Sequence, residues 1–410
     1  SGTNRAAHRV MAPIRKKRFM SGTLTPKDVT DIVLQAAIAD PTVFGTEEDF
    51  TARYTTGDSK GKSKWRPNFE AEVTDALRSC SVLARVSRKE WAAILPTRHE
   101  SYIEVELSEE QYKLYNMIIE QTKENLTAEQ KKKLQDALDK LAKADLRKAK
   151  KKKKGAEEEE DDESGDEDEL VSILSGLLAP HLARLEEFTT NPAGDDLGRF
   201  LAGDNLVSEK VRAVANQCFI HFGFDPVTGQ PAGEAIPGKV LIFTNQIGSA
   251  QATYDYLNSL PQFKGKIIHY KAGDKARYSA EAKNNPNKTI MVGVGTSMDT
   301  GLNLQHFSRL IRIECVWTPG KQEQGDSRVN RPLVSKDGDP RKNIYIDTVV
   351  AVNTIDVTKT AYLIARTIGV EKFANSGNPL YDKLEKPEMF KMTMDNVFGM
   401  NNADVLQEYF

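Results

Sequence analysis

Between Lys239 and Val352 short apolar runs alternate with amphipathic ones, and this rhythm constrains the fold more than any other feature of the chain. "KVLIFTN", "GKIIHYKAG", "NKTIMVGVGT", "RLIRIECVW" and "RKNIYIDTVVAV" read as strands, most of them too apolar to leave one face in water. "SAQATYDYLNSL" and "TIDVTKTAYLIARTIGVEKFAN" have the longer helical period. Parallel strands need crossover connections, usually helices. The pattern therefore predicts an α/β fold with a parallel sheet covered by helices on both faces. Polar clusters follow the strands: Thr244, Asn245 and Gln246, then Thr296, Ser297 and Asp299 with Gly301 and Asn303, then "WTPGKQEQGDSRVNRP". Ligands of open α/β sheets gather at the carboxyl ends of strands, so these clusters are expected to line one cleft.

The last cluster places Arg328 and Arg331 three residues apart, behind Gln324 and Gly325. A guanidinium offers five fixed donors that match phosphate oxygens. Two of them on one short segment point to an anion, and phosphate is the expected one. A loop "GDSKGKS" at 57–63 looks like a nucleotide-binding loop, but it has three residues where four must separate the first Gly from Gly-Lys. It is read as a basic polar loop instead.

Upstream, "ESYIEVELS" alternates like a strand. "SEEQYKLYNMIIEQT" follows it as a helix with a capping-box start, Ser108 with Gln111 three residues on. A helical stretch, "FEAEVTDALRSCSVLARVSRKEWAAILP", precedes both and is stopped by Pro96. From about 124 the composition changes to a charged helix, a lysine block and an acidic block, "KKKKKGAEEEEDDESGDEDE". Such a segment cannot bury enough apolar surface to order itself, so a charged, disordered insertion is expected at about 124–205. Helical patterns resume with "ELVSILSGLLAPHLARLEEF" and "LVSEKVRAVANQCFIHF".

Overall charge does not announce a partner, because 57 basic and 59 acidic side chains nearly cancel. Three scattered cysteines form neither a metal pattern nor a disulfide framework, which fits a reducing compartment. No run reaches transmembrane length, so a soluble intracellular protein with no membrane partner is expected; cytoplasm, nucleoid and nucleus are not distinguished.

In order and spacing these clusters resemble the Snf-type DNA translocases of helicase superfamily two. "MSGT" with Asp31 is similar to motif III, "KVLIFTNQ" to motif IV, "GTSMDTGLNLQ" to motif V and "QGDSRVNR" to motif VI. "ILPTRHESYIEVELSEEQYKLY" resembles the exit of the family's helical protrusion, and "VWTP" keeps the family's spacing. The departures are Leu24 for Pro, Lys27 for Asn, Met298-Asp299 for a Gly pair and Ser327 for Gly or Asp.

The resemblance implies a RecA-like lobe two over 98–375, a helical protrusion over 56–97, the end of lobe one over 1–55 and a tail over 376–410. It implies that Arg328 and Arg331, oriented by Gln324, act as arginine fingers on ATP held with Mg mainly by lobe one. Ser21, Gly22 and Thr23 would couple the lobes. Asn245, Gln246, Ser297, Gly301 and Asn303 would touch double-stranded DNA or the facing lobe. The phosphate loop and Asp-Glu box of lobe one would be supplied in cis by a longer parent or in trans by another chain, and the chain alone would be inactive. Two other readings are a non-catalytic helicase-like module that binds DNA or protein, and an RNA helicase of the same superfamily.

Overall fold

The computed structural model describes residues 49, 52–53, 55–57, 63–65, 72, 95–125, 179–202, 206–271, 273–298, 302–317, 319–331, 343–360 and 363. Ser21, Gly22, Thr23 and Gly301 lie outside the described residues, as do most of 56–94, all of 126–178 and the tail.

Two short strands, β1 (Thr55–Gly57) and β2 (Ser63–Trp65), pair as an antiparallel hairpin. The apolar runs become β3 (Thr97–Val105), β4 (Lys239–Thr244), β5 (Ile267–His269), β6 (Ile290–Val294), β7 (Phe307–Arg312) and β8 (Asn343–Ala351). These form one sheet in the order β3-β8-β7-β4-β6-β5, and every pairing is parallel. Helices connect them: α1 (Glu109–Asn125), α2 (179–190), α3 (Asp196–Ala202), α4 (Glu209–His221), α5 (Ile247–Ser259), α6 (Lys275–Asn284), α7 (Gly295–Met298), α8 (Pro319–Val329) and α9, which starts at 355. This is the α/β arrangement with a parallel sheet that the periodicity predicts.

Alternation along β4 shows how the strands bury both faces. Val240 and Ile242 meet Val214 and Cys218 of α4 and Leu257 of α5 on one face. Leu241 and Phe243 meet Ala282 of α6, Met298 of α7 and Val329 of α8 on the other. All four β4 residues are 5% exposed or less. At roughly 1.5–3 kcal/mol for each fully buried large aliphatic or aromatic side chain, such a two-sided core supplies most of the drive to fold.

The bounds set for the charged insertion run too far at their C-terminal end. Residues 179–202 are helical, with Leu185 and Phe188 buried. Gln111 near the start of α1 donates to the Phe188 and Thr189 carbonyls at the end of α2, and Arg184 reaches Gln121 near the end of α1. The two helices thus run antiparallel, and segment 126–178 joins their far ends. Ser108 caps α1 through the Gln111 amide at 3.2 Å. The reciprocal half of the expected capping box is not made, because the Gln111 side chain is used on α2.

Candidate functional site

Segment 319–329, which follows a strand-ending turn, is a helix rather than a loop, and Pro319 opens it. Proline suits the first helical turn because its missing N–H would have no partner there. Helical spacing then sorts the motif by face. Gly325, Asp326 and Val329 are buried, whereas Gln324, Arg328 and Arg331 are half-buried at i, i+4 and i+7. The turn carries on past the helix end, with Asn330 N on Asp326 O, and Arg331 Nε donates to Ser327 O at 2.9 Å. Burial and the neighbouring Arg328 charge both lower the Arg331 pKa. The Arg328 charge is therefore close enough to disfavour that of Arg331, and an anion nearby would offset it.

Asp326 holds this face in place. Its carboxylate is fully buried and accepts from Arg312 Nη2 at the end of β7 and from Arg98 Nη2 of β3 at 2.6 Å. Arg312 also donates to the Gln322 carbonyl at 3.0 Å. Arg98 bridges Glu100 at 2.6 Å and lies 3.7 Å from Glu323. Burial pulls the Arg98 pKa down, but the Asp326, Glu100 and Glu323 charges outweigh it and the pKa rises. Gly325 sets how close the helix sits: a Cβ there would fall 3.1 Å from Phe243 Cε2 and 3.2 Å from Arg312 Nη2.

A second group of residues meets at the carboxyl ends of β4, β6 and β7. Asn245, Thr296, Arg312, Glu314 and Lys321 line a small cleft there. Asn245 Nδ2 donates to Glu186 Oε1 at 2.5 Å and to Cys315 O at 2.8 Å, so its side-chain donors are used inside the protein. Its backbone N–H donates to Glu314, which also accepts from Ser249 Oγ at 2.6 Å. Burial, and then the charge of Glu186, push the Glu314 carboxyl up to about 7 against the opposing pull of Lys210. Glu186 is bound by Lys359, whose ammonium lies 4.7 Å from the Trp317 ring centroid. Lys210, fully buried, pairs with Asp356 at 2.6 Å. Three carboxylates thus share two lysines, and Glu314 is the one without a direct cationic partner.

The expected residues do not all converge on one cleft. Gln246 precedes α5 with no side-chain capping bond, and Ser297 lies in α7 beside Thr296. Asn303 is exposed, and its Oδ1 accepts from Gln305 N at 3.4 Å in the descent toward β7. The arginine helix leaves the carboxyl ends and runs down the sheet face. Arg312 is level with Thr348 and Tyr102, four residues beyond Arg98 on β3, and Asp326 touches both arginines. Sequence reasoning missed Asp326, Arg98, Arg312, Glu314, Glu186 and Lys359. One signal was present: Arg309, Arg312 and Glu314 interrupt an apolar strand, where a charge needs a buried partner. Arg98 and Glu186 carry no such mark.

At the two ends of "GDSKGKS", Gly57 pairs with Ser63, and just outside it Thr55 pairs with Trp65, antiparallel. A phosphate loop instead joins a strand to a helix. Among the described residues no helix is long and apolar enough to cross a membrane.

No family model matches the chain, and no curated protein matches it in sequence. Among solved structures it is similar to the C-terminal part of the Fun30 ATPase domain, at 14% identity and a TM-score of 0.38 over 74% of this chain and 97% of that one. It is similar to the SWI2/SNF2 ATPase core domain of Sulfolobus solfataricus, at 15% identity and 0.42, over 90% of this chain and 62% of that one. For the C-terminal domain of the SWI2/SNF2 ATPase of that organism the values are 14% and 0.40, over 72% and 97%. These are similarities to ATPase domains, and in two of the three to a C-terminal part of one.

Proposed function

We propose that the chain supplies the second RecA-like lobe of an ATP-dependent translocase on double-stranded DNA, with Arg328 and Arg331 as its arginine fingers. The observation that carries this reading is the face of α8. Asp326 and Gly325 fasten one side to the sheet, and Arg328 and Arg331, with the neutral Gln324 one turn before Arg328, line the other. A first lobe, in cis or as a separate chain, would hold most of the ATP and Mg. Closure of the lobes would bring the two arginines to the phosphates.

ATP supplies the phosphoryl group and Mg neutralises its charge when bound. The arginines stabilise the charge that develops on the transferred group, a contribution of on the order of 10³ to 10⁵ in rate. Gln324, one turn before Arg328, orients the pair. Gln246 and Ser297, at the carboxyl ends of β4 and β6, would contact DNA phosphates, which position a protein without reading sequence. Asn245 supports that end from within, through Glu186 and the Cys315 carbonyl.

ATP hydrolysis, with and without duplex DNA, tests the reading on the chain alone and on the assembly that contains its first lobe. The assembly should show DNA-stimulated hydrolysis that Arg328→Ala lowers by about 10³-fold or more. Full activity in the Arg328→Ala assembly would end the finger assignment. Hydrolysis by the chain alone would show a nucleotide site that this reading does not contain.

A further inference from the structure

The end of the sheet opposite the cleft is a cationic pole. Because all six strands run the same way, the starts of β4, β5 and β6 meet at one edge. Val240 of β4 and Ile267 of β5 are both in register with Ile290 of β6. Thr289 sits between them, giving its N–H to Lys266 O and accepting from Val240 N. Lys239 and Lys266 therefore flank Thr289, two strand spacings or about 10 Å apart.

Three more lysines join them. Lys239 Nζ donates to the carbonyls of Ala282 at 2.5 Å and Asn285 at 2.8 Å, which brings Lys283 alongside. Lys288 Nζ donates to the carbonyls of Gly265 at 2.9 Å and Ile267 at 3.1 Å, on the turn that carries Lys264 and Lys266. Two of the five ammoniums are thus tethered by backbone carbonyls, and Lys264, Lys266 and Lys283 stand exposed.

The segments that carry them hold no carboxylate, although the loop with Asp225 reaches Gln262 through the Gly229 carbonyl at 2.9 Å and Glu281 adjoins Ala282 on α6. Segments 235–241, 256–267, 282–290 and 302–308, which build this end, contain no Asp or Glu; the first acids met in sequence are Glu234, Asp255 and Glu281. Across the whole chain acids slightly outnumber bases. The Lys239 pKa is lowered by burial alone, with no carboxylate raising it.

We propose that this pole is a phosphate-backbone contact surface for duplex DNA, separate from both the cleft and the arginine helix. The composition favours nucleic acid over an acidic protein. Protein interfaces are depleted in lysine and depend on buried aromatic or arginine anchors. None of the exposed large apolar side chains among the described residues falls in these four segments. A lysine surface without apolar anchors suits a polyanion bound through counterion release, which needs only charge density. The inference takes duplex DNA as the partner from the proposed function but needs no ATP hydrolysis, so the two can fail separately.

The test is the salt dependence of binding to a fluorescent duplex, comparing the full chain with a Lys264→Gln/Lys266→Gln/Lys283→Gln triple variant. All three side chains are exposed, so the fold should survive, and circular dichroism checks it. Each lost phosphate contact should reduce the slope of log K against log salt by about 0.9. The triple variant should lose close to three such steps and bind on the order of 100-fold more weakly at 0.1 M salt. An Arg328→Ala/Arg331→Ala variant should still show that same drop when the three glutamines are added. An unchanged slope would overturn the proposal and leave the lysines as guards of the exposed β5 edge. Failure of the wild-type chain to bind duplex at low salt would overturn it too. So would polyglutamate binding as tightly as DNA with the same lysine dependence, which would assign the pole to an acidic polypeptide.

Discussion

Replacing Asp326 by alanine tests the clamp on which the arginine face depends. Asp326 is fully buried, and so, to within 2% exposure, is its partner Arg312. Without the carboxylate, Arg312 keeps only the Gln322 carbonyl at 3.0 Å, and its Nη1 already lacks a partner. Arg98 is less affected because Glu100 remains at 2.6 Å. Most of the cost is therefore one uncompensated buried guanidinium, which puts Asp326→Ala at about 3–5 kcal/mol. Arg98→Gln, by the same reasoning, should cost about 1 kcal/mol, since it leaves the Arg312–Asp326 pair intact. The partner change Arg312→Met leaves the carboxylate with Arg98 alone at 2.6 Å, and the double variant, which buries no unpaired guanidinium beside β7, should recover a large part of the Asp326→Ala loss. Urea unfolding followed by far-UV circular dichroism and Trp fluorescence gives these differences from the midpoints, provided the slopes agree. A loss below about 1 kcal/mol for Asp326→Ala, or a double variant no better than Asp326→Ala alone, would refute the clamp.

Gly325→Ala should cost about 1–3 kcal/mol in the same assay, since its Cβ meets the Phe243 ring and the Arg312 guanidinium at 3.1 and 3.2 Å. A neutral Gly325→Ala would mean the helix can shift without penalty. Two buried groups should oppose one another in the pH dependence of stability. Glu314, raised to about 7, holds a proton in the folded state that the unfolded chain releases, so its contribution falls as pH rises from about 4.5 to 7. His221, lowered to about 4 chiefly by burial, stays neutral where the unfolded chain is protonated, so its contribution rises with pH between about 4 and 6.5. Melting temperatures across pH 4–8 should therefore show a steeper rise with pH in Glu314→Gln than in wild type. Parallel curves for the two proteins would contradict the burial of a protonated Glu314.

The architecture of the parallel sheet was legible because its strands are local and apolar. "KVLIFTN" and "NKTIMVGVGT" can satisfy both faces only inside a parallel sheet, and both are found there. The hairpin at 55–65 was not legible, since "GDSKGKSKW" has the composition of a loop and its pairing comes from the backbone. Nor was the extent of the insertion. Charge density marks its middle, but the point where the chain returns to the folded core depends on Leu185 and Phe188 finding buried neighbours from other segments. The arginine pair was visible as residues; the helix beneath it, with Asp326 turned inward, was not.

Taken alone, the amino-acid order determined which stretches must be buried on both faces, where the polar clusters follow strands, and that two guanidiniums share one short segment. These are consequences of period and spacing, which act over a few residues. Only the tertiary structure decided that Asp326 joins β3, β7 and α8, that Glu314 is left as the odd carboxylate among two lysines, and that five lysines from distant segments share one pole. Arg98 and Asp326 lie 228 residues apart in sequence, and Lys359 and Glu186 lie 173 apart. A buried charge is stable only beside its partner, and which partner it meets is set by the packing of the whole sheet.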